Sequence, residues 1–177
     1  MAATLVMNSA ILEAYVGKTV EEICPLGFGK KGDADNHCAH FVSHVLQINE
    51  SMGFGLTCAG MVSVGKRNRS AGGCIRVNNL FNNCEDLAAP IETGCMVYYT
   101  IPGNMSKGVM GSMSKKHVGI YYNGYVFNYG NTNDAVRKDT PEARLHHYGN
   151  TTIILYTHFP PGAKLTSFDQ LKGLAGG

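Results

Sequence analysis

One cysteine lies among three histidines in the stretch Asp-Asn-His-Cys-Ala-His-Phe-Val-Ser-His, residues 35–44. If Asp35 or Asn36 is the N-cap, Cys38 lies in the first turn of a helix. Unpaired N–H groups and the helix dipole at such a position favour the thiolate, which is the nucleophilic form of cysteine. Three interpretations of Cys38 are open: a nucleophile, a metal ligand, or a small inert thiol in the core.

Helical geometry separates the cysteine from the histidines. At about 100° per residue, one side of the helix carries Cys38, Phe41, Val42 and Val45, and a stripe facing away carries His37, His40 and His44. A zinc site needs three or four ligands that converge on one point, which Cys38 and this stripe cannot do. His40 and His44 could hold a metal as a pair, but the sequence shows no obvious acidic or cysteine partner. The stripe is therefore interpreted as a solvated or hydrogen-bonded polar face, and we expect no metal and no cofactor.

A nucleophilic cysteine needs a histidine as its acid–base partner, and that histidine needs a polar group to orient it. His117 begins an apolar run that ends at Asn123-Gly124, the strongest short signal for a two-residue hairpin turn. In that register Gly119 lies opposite Asn128, so His117 and Asn128 emerge on one face as diagonal neighbours. Asn128 could then bind one ring nitrogen and leave the other for the thiol.

Alternatives to this pair are open as well. His117 and Asn128 could each be an ordinary polar strand residue. A three-residue turn would break the parity, and Tyr129 would then be the nearest polar neighbour. His158, near the end of the last strand, is the reserve base.

The elements that must position these residues change type along the chain. Asn8 or Ser9 can cap a short segment through Tyr15, and Thr19-Val-Glu-Glu22 forms a capping box. After an irregular Gly/Ser-rich connection at 53–73, apolar residues at helical spacing run from Val77 towards Pro90.

Strands are predicted in the second half. They cover Cys95–Thr100, the hairpin at 117–129 and residues 151–159, with one helical turn opening at Thr140. Helices followed by an antiparallel meander predict an α+β fold with the helices packed on the sheet. We expect one domain over 1–177, in which 160–177 is a loosely held tail.

Composition narrows the function classes. With 15 basic and 13 acidic residues, the formal charge of +2 does not predict a nucleic-acid-binding surface. No stretch approaches the roughly 20 apolar residues of a membrane span, and the start lacks the basic region of a secretory signal. The six cysteines are scattered, which is typical of a reduced chain with buried thiols.

The ordered set of Cys-Ala-His-Phe-Val, Thr-Gly-Cys-Met-Val-Tyr-Tyr and His-Val-Gly-Ile-Tyr-Tyr-Asn-Gly-Tyr-Val-Phe-Asn resembles the papain-like amidases of the NlpC and CHAP type. The resemblance covers roughly residues 35–130. It implies a papain-like single domain in which Cys38 is the nucleophile, His117 the base and Asn128 the orienter. The Cys38 N–H would be an oxyanion donor.

Such enzymes mostly hydrolyse amide bonds in peptidoglycan stem peptides. Without a signal peptide, the chain is similar to the amidase effectors of type VI secretion systems, which implies a cytoplasmic origin, delivery to the periplasm of a target cell and a cognate immunity protein. Two other functions are open: a thiol acyltransferase or protease with a non-wall substrate, and a catalytically inactive wall-binding module.

Overall fold

The computed structural model describes residues 5–30, 36–62 and 69–175. Within these residues lie six α-helices: α1 (Ser9–Glu13), α2 (Val20–Ile23), α3 (Cys38–Leu46), α4 (Cys58–Met61), α5 (Val77–Asn82) and α6 (Phe168–Ala175). Eight strands are present in the same residues: β1 (Asp86–Leu87), β2 (Cys95–Thr100), β3 (Met105–Ser106), β4 (Val109–Met110), β5 (Lys116–Tyr122), β6 (Tyr125–Gly130), β7 (Ala135–Asp139) and β8 (Ile153–Thr157). The α+β class predicted from the sequence is confirmed.

Six of these strands form one antiparallel sheet in the order β1-β8-β2-β5-β6-β7. The central ladder pairs Cys95 with Tyr121 and Thr100 with Lys116. Helix α3 packs on β5 and β6 through the main apolar cluster, which includes Phe41, Val118 and Phe127. The long buried helix therefore lies directly on the two strands that carry His117 and Asn128.

The first two helices begin as the sequence predicts. Asn8 caps α1 by accepting a hydrogen bond from the Ile11 N–H at 3.1 Å. Thr19 and Glu22 form a reciprocal capping box at the start of α2. These caps satisfy N–H groups that a helix end leaves unpaired.

Several elements differ from the predictions, among them α4, which lies in the connection expected to be irregular, and the short strands β3 and β4, which were not predicted. Helix α5 ends at Asn82, because Asp86 and Leu87 pair with β8 instead of continuing the helix. Strand β7 was not predicted; it pairs with β6 and places Arg137 opposite Asn128. The turn predicted at Thr140 is present as a 3-10 helix over Pro141–Arg144.

Residues 160–175 were predicted to be loosely held, and the structure shows them docked. The Lys164 and Thr166 N–H groups donate to Leu46 O at 2.9 Å and Val45 O at 2.8 Å. These are carbonyls that the C-terminal end of α3 leaves unpaired. Leu171 of α6 is also buried against the main cluster, so this segment covers the end of α3.

No helix in the three described ranges combines the length and the apolar character that a membrane crossing requires.

Candidate active site

Cys38 is the first residue of α3, as predicted for the first helical turn. His37 occupies the N-cap position without a side-chain cap, and Asp35 lies outside the described residues. The Asn36 side chain replaces a conventional cap, since its Oδ1 accepts a hydrogen bond from the Cys38 N–H at 3.1 Å. This N–H was expected to be an oxyanion donor; here Asn36 already occupies it.

The thiol of Cys38 is fully buried. Burial raises its pKa to about 11.

 The main-chain N–H groups of Val118 and Ala39, and the charge of Arg144, lower the pKa of Cys38 but do not offset its burial. The expectation that the helix start favours a thiolate is therefore wrong for the resting structure, because loss of hydration outweighs the N–H groups.

His117 and Asn128 lie together as the hairpin register predicts. Gly119 pairs with Asn128, and Tyr122 pairs with Tyr125 across the two-residue turn. The His117 Nε2 and Asn128 Oδ1 atoms are 2.8 Å apart. Because a carboxamide oxygen can only accept, Nε2 carries the proton and Nδ1 is left as the basic nitrogen.

Asp139 completes this network, and the sequence interpretation missed it. Asn128 Nδ2 donates to Asp139 Oδ2 at 3.0 Å, which fixes the amide with its oxygen towards His117. Asp139 in turn binds Arg137 at 3.2 Å and Arg144 at 3.6 Å. Asp139 could have been identified by predicting β7, the short strand that follows the hairpin and ends at Asp139.

His117 is buried, and its ring is neutral at pH 7. Burial lowers the pKa of His117 to about 3, and the positive charge of Arg144 acts in the same direction. The hydrogen bond to Asn128 opposes this shift. A neutral imidazole can act as a general base, and it is not half of a preformed ion pair with a thiolate.

The Cys38 side chain contacts one face of strand β5, and the His117 side chain projects from the other face. Cys38 shares the main apolar cluster with Val118, whereas the His117 ring lies 6.2 Å from that of Tyr99, whose cluster covers the other face. The thiol contacts the Val118 N–H, so it lies at the peptide group that joins His117 to Val118. No hydrogen bond joins the Cys38 thiol to the His117 ring in the described part of the chain.

The alternative bases and orienters are placed elsewhere. His158 follows β8 at the end that pairs with Met96, whereas His117 pairs with Tyr99. The Tyr129 hydroxyl donates to Asp134 Oδ1 at 2.7 Å and does not serve His117. His147 is closer, with its ring 5.9 Å from the His117 ring.

Two clefts of the described structure meet at Asn36, two residues before Cys38. One has a volume of about 400 Å³ and is lined by His117, Arg137 and Arg144 among others. The other has a volume of about 270 Å³ and is lined by Arg76 and Lys116 as well as apolar side chains. Both clefts therefore present positive charge beside the start of α3.

The histidine stripe of α3 was interpreted as a solvated or hydrogen-bonded face; it is buried and not solvated, and ring nitrogens of neighbouring histidines are in hydrogen-bond contact. His37, His40 and His44 are each at most 3% exposed, because Phe28 and the residues around α2 and α4 cover this side of α3. Cys24 and Cys58 approach His40 and His44 here. The four ligand atoms lie within 4.8 Å of one another, and these are the described residues best placed to hold a metal ion.

Comparison with known proteins gives no relative: no family model, no curated protein and no solved structure matches this chain.

Proposed function

We propose that the protein is a cysteine amidase of papain-like architecture that hydrolyses amide bonds in peptidoglycan stem peptides. Cys38 is the nucleophile, His117 the base and Asn128 the residue that orients the base. The observation that carries the proposal is the hydrogen bond between His117 and Asn128. The residue after His117 on β5 is Val118, and its main-chain N–H contacts the Cys38 thiol. The resemblance to NlpC and CHAP amidases supplies the substrate class.

The reaction follows from the two neutral groups. His117 Nδ1 takes the thiol proton as Cys38 sulfur attacks the amide carbon, and the carbonyl oxygen becomes an oxyanion. The imidazolium then returns that proton to the departing amine as the C–N bond breaks, leaving a thioester. Water, deprotonated by the same nitrogen, hydrolyses the thioester and restores the thiol.

The Asn36 side chain lies at the N-terminal end of α3, where its amide can donate a hydrogen bond to the oxyanion. Its Nδ2 lies 3.5 Å from Lys116 O, a long contact that a stronger acceptor would replace. Because Cys38 is fully buried, attack also requires the residues that cover the thiol to move aside. Asn36 lines both clefts and lies two residues before Cys38.

The charge of the clefts fits a peptide that carries carboxylates. Stem peptides present free carboxylates along their length, and guanidinium groups bind carboxylates through paired hydrogen bonds. Arg137 and Arg144 share the single carboxylate of Asp139, so the cleft beside His117 keeps an excess of positive charge. Arg76 and Lys116 give the second cleft the same sign.

The resemblance also supports delivery as an antibacterial effector. In this proposal a type VI secretion system carries the enzyme to the periplasm of a rival cell, and an immunity protein protects the producer. An immunity protein with an acidic surface would complement the positive charge of the two clefts.

Digestion of purified muropeptides followed by mass analysis tests the proposal. We expect the wild type to release products with a new amine and a new carboxyl group, and Cys38→Ala to release none. Cys95→Ala is the matched control, since Cys95 is equally buried but lies in the cluster on the other face. Equal digestion by wild type and Cys38→Ala would remove Cys38 from the mechanism. Products joined to an added amine in place of water would indicate an acyltransferase.

A further inference from the structure

Four buried side chains outside the candidate active site converge on one point. Cys24 follows the last residue of α2, His40 and His44 lie one turn apart on α3, and Cys58 is the first residue of α4. None of the four is more than 5% exposed. Cys38 takes no part in this group, which lies on the opposite side of α3.

Three of the six distances within the group are close to the edges of a tetrahedral metal site, and all six are within 4.8 Å. The Cys24 and Cys58 sulfurs are 3.9 Å apart, and the Nε2 atoms of His40 and His44 are 3.0 Å apart. Cys58 Sγ lies 3.6 Å from His44 Nε2. With Zn–S bonds of about 2.3 Å and Zn–N bonds of about 2.0 Å, a tetrahedron has S–S edges of about 3.8 Å, S–N edges of about 3.5 Å and N–N edges of about 3.3 Å.

Groups around the four side chains hold them in the orientation that a metal requires. The Gly73 N–H donates to Cys58 Sγ at 3.2 Å, a bond that stabilises a thiolate. His40 Nδ1 lies 3.4 Å from His37 Nδ1, so His40 keeps its Nε2 atom towards His44. A hydrogen bond at the second ring nitrogen is typical of metal-bound histidines, because it fixes the orientation of the ring.

From this geometry we propose that Cys24, His40, His44 and Cys58 form a structural zinc site. Two thiolates and two neutral imidazoles are a donor set that Zn²⁺ prefers, and they neutralise its charge, as a buried site requires. Two thiol protons leave as the ion binds. All four positions are filled by protein atoms, so the ion has no open position for water or substrate.

The site explains how short elements are held in place. Helices α2 and α4 have only four residues each, which is too short for stability without tertiary contacts. A common ion would join both of them to α3, the helix that carries Cys38. The proposal does not depend on the amidase function, because it concerns metal content and stability.

The sequence predicted no metal because His40 and His44 had no visible partner. The structure supplies two cysteines from distant parts of the chain, one on each side of the histidine pair. Neither cysteine has a second cysteine at the spacing of a zinc-finger motif, so only the fold brings the four ligands together.

Metal analysis of the full chain, purified under reducing conditions without chelator, tests the site. We expect one zinc ion per chain in the wild type and far less than one in Cys58→Ser. Cys74→Ser is the matched control, because Cys74 is buried but is not part of the group; it should retain its zinc. Equal zinc in all three proteins would overturn the proposal.

A second measurement avoids any variant that might lose its fold. Apo wild type is titrated with Co²⁺, which should give the strong visible bands of tetrahedral cobalt and a thiolate-to-cobalt charge-transfer band. Absence of these bands, together with wild type that contains no zinc, would contradict the site. A disulfide between Cys24 and Cys58 in metal-free protein, detected by thiol counting after unfolding, would contradict it as well.

Discussion

Two neutral groups lie on opposite faces of β5, on either side of the peptide that joins His117 to Val118. Burial raises the pKa of Cys38 to about 11 and lowers that of His117 to about 3. At pH 7 the thiol therefore keeps its proton, and the imidazole is ready to accept one. In the proposed mechanism, activation of the Cys38 thiol therefore depends on proton transfer during attack.

Alkylation of Cys38 tests this protonation state. The rate of reaction with iodoacetamide, followed by mass analysis of the peptide that contains Cys38, should keep rising from pH 7 towards about 11, because only the thiolate reacts. His117→Ala should leave this profile unchanged. A plateau that begins below pH 7 and disappears in His117→Ala would instead reveal a preformed ion pair.

In the proposed mechanism Asn128 acts through His117, so its variants should affect turnover more than binding. Asn128→Ala removes the acceptor of the Nε2 proton, and we expect a fall in kcat of roughly 10- to 100-fold, the value of one buried hydrogen bond of about 1–3 kcal/mol. Asn128→Asp restores an acceptor and should recover part of the activity.

The same variants should move the pKa of His117, measured by NMR titration of its ring. The hydrogen bond to Asn128 raises this pKa, so Asn128→Ala should lower it and Asn128→Asp, with a full negative charge, should raise it. An unchanged pKa in both variants would show that Asn128 has only a packing role.

At the scale of elements, the β5–β6 hairpin places His117 beside Asn128. Asn123 and Gly124 have φ angles of 48° and 84°, the left-handed values that a two-residue hairpin turn requires. Gly119 lies directly across from Asn128. A Cβ at Gly119 would lie 2.6 Å from Val126 Cγ1 and 3.0 Å from Asn128 Cβ, so this position has no room for a side chain.

Gly119→Ala should therefore destabilise the protein by about 1–3 kcal/mol, the usual cost of overpacking. Displacement of Asn128 should also reduce activity. Gly103→Ala is the control, since a Cβ at Gly103 meets no atom within 4 Å. Denaturant unfolding of both variants measures the difference, and equal free energies of unfolding would show that β5 and β6 tolerate a wider separation.

Local signals were sufficient for the hairpin and not for its surroundings. The Asn-Gly turn fixes register within a few residues, so the position of His117 beside Asn128 could be predicted. Strand β7 was missed because charged residues at Arg137, Lys138 and Asp139 hide its alternation. The burial of Cys38, the contact with Asp139 and the group around His40 depend on distant segments, which a single sequence does not place.

At the scale of the whole molecule, α3 is buried on every side. The sheet covers one side and the residues around α2 and α4 cover the other, while 160–175 close its C-terminal end. All nine residues of α3 are buried. Burial lowers the pKa of His40 to about 4, so the free energy of unfolding should fall as the pH falls from about 6.5 towards 4.

His117 gives this pH dependence a definite sign. The unfolded chain binds a proton near pH 6.5, and the folded chain does so only near pH 3. Between these values the unfolded state carries more protons, so the free energy of unfolding falls as the pH falls, by roughly 1.4 kcal/mol per pH unit for one histidine. Above pH 6.5 this contribution no longer changes.

Denaturant unfolding of wild type and His117→Gln between pH 7 and about pH 4.5 isolates this contribution. As the pH falls, the free energy of unfolding of the variant should decrease less steeply than that of the wild type, by roughly 1.4 kcal/mol per pH unit. Parallel curves would mean that His117 is protonated in the folded protein.

If Cys38 is the nucleophile, it forms a covalent intermediate with a peptidoglycan stem peptide during turnover. Acid quenching of wild type during turnover, followed by intact-mass and peptide mapping, measures this directly. We expect a mass increase equal to the acyl part of the stem peptide, located on Cys38 and absent from Cys38→Ala. Digestion of the peptide with no adduct on Cys38, and at the same rate in Cys38→Ala, would contradict it.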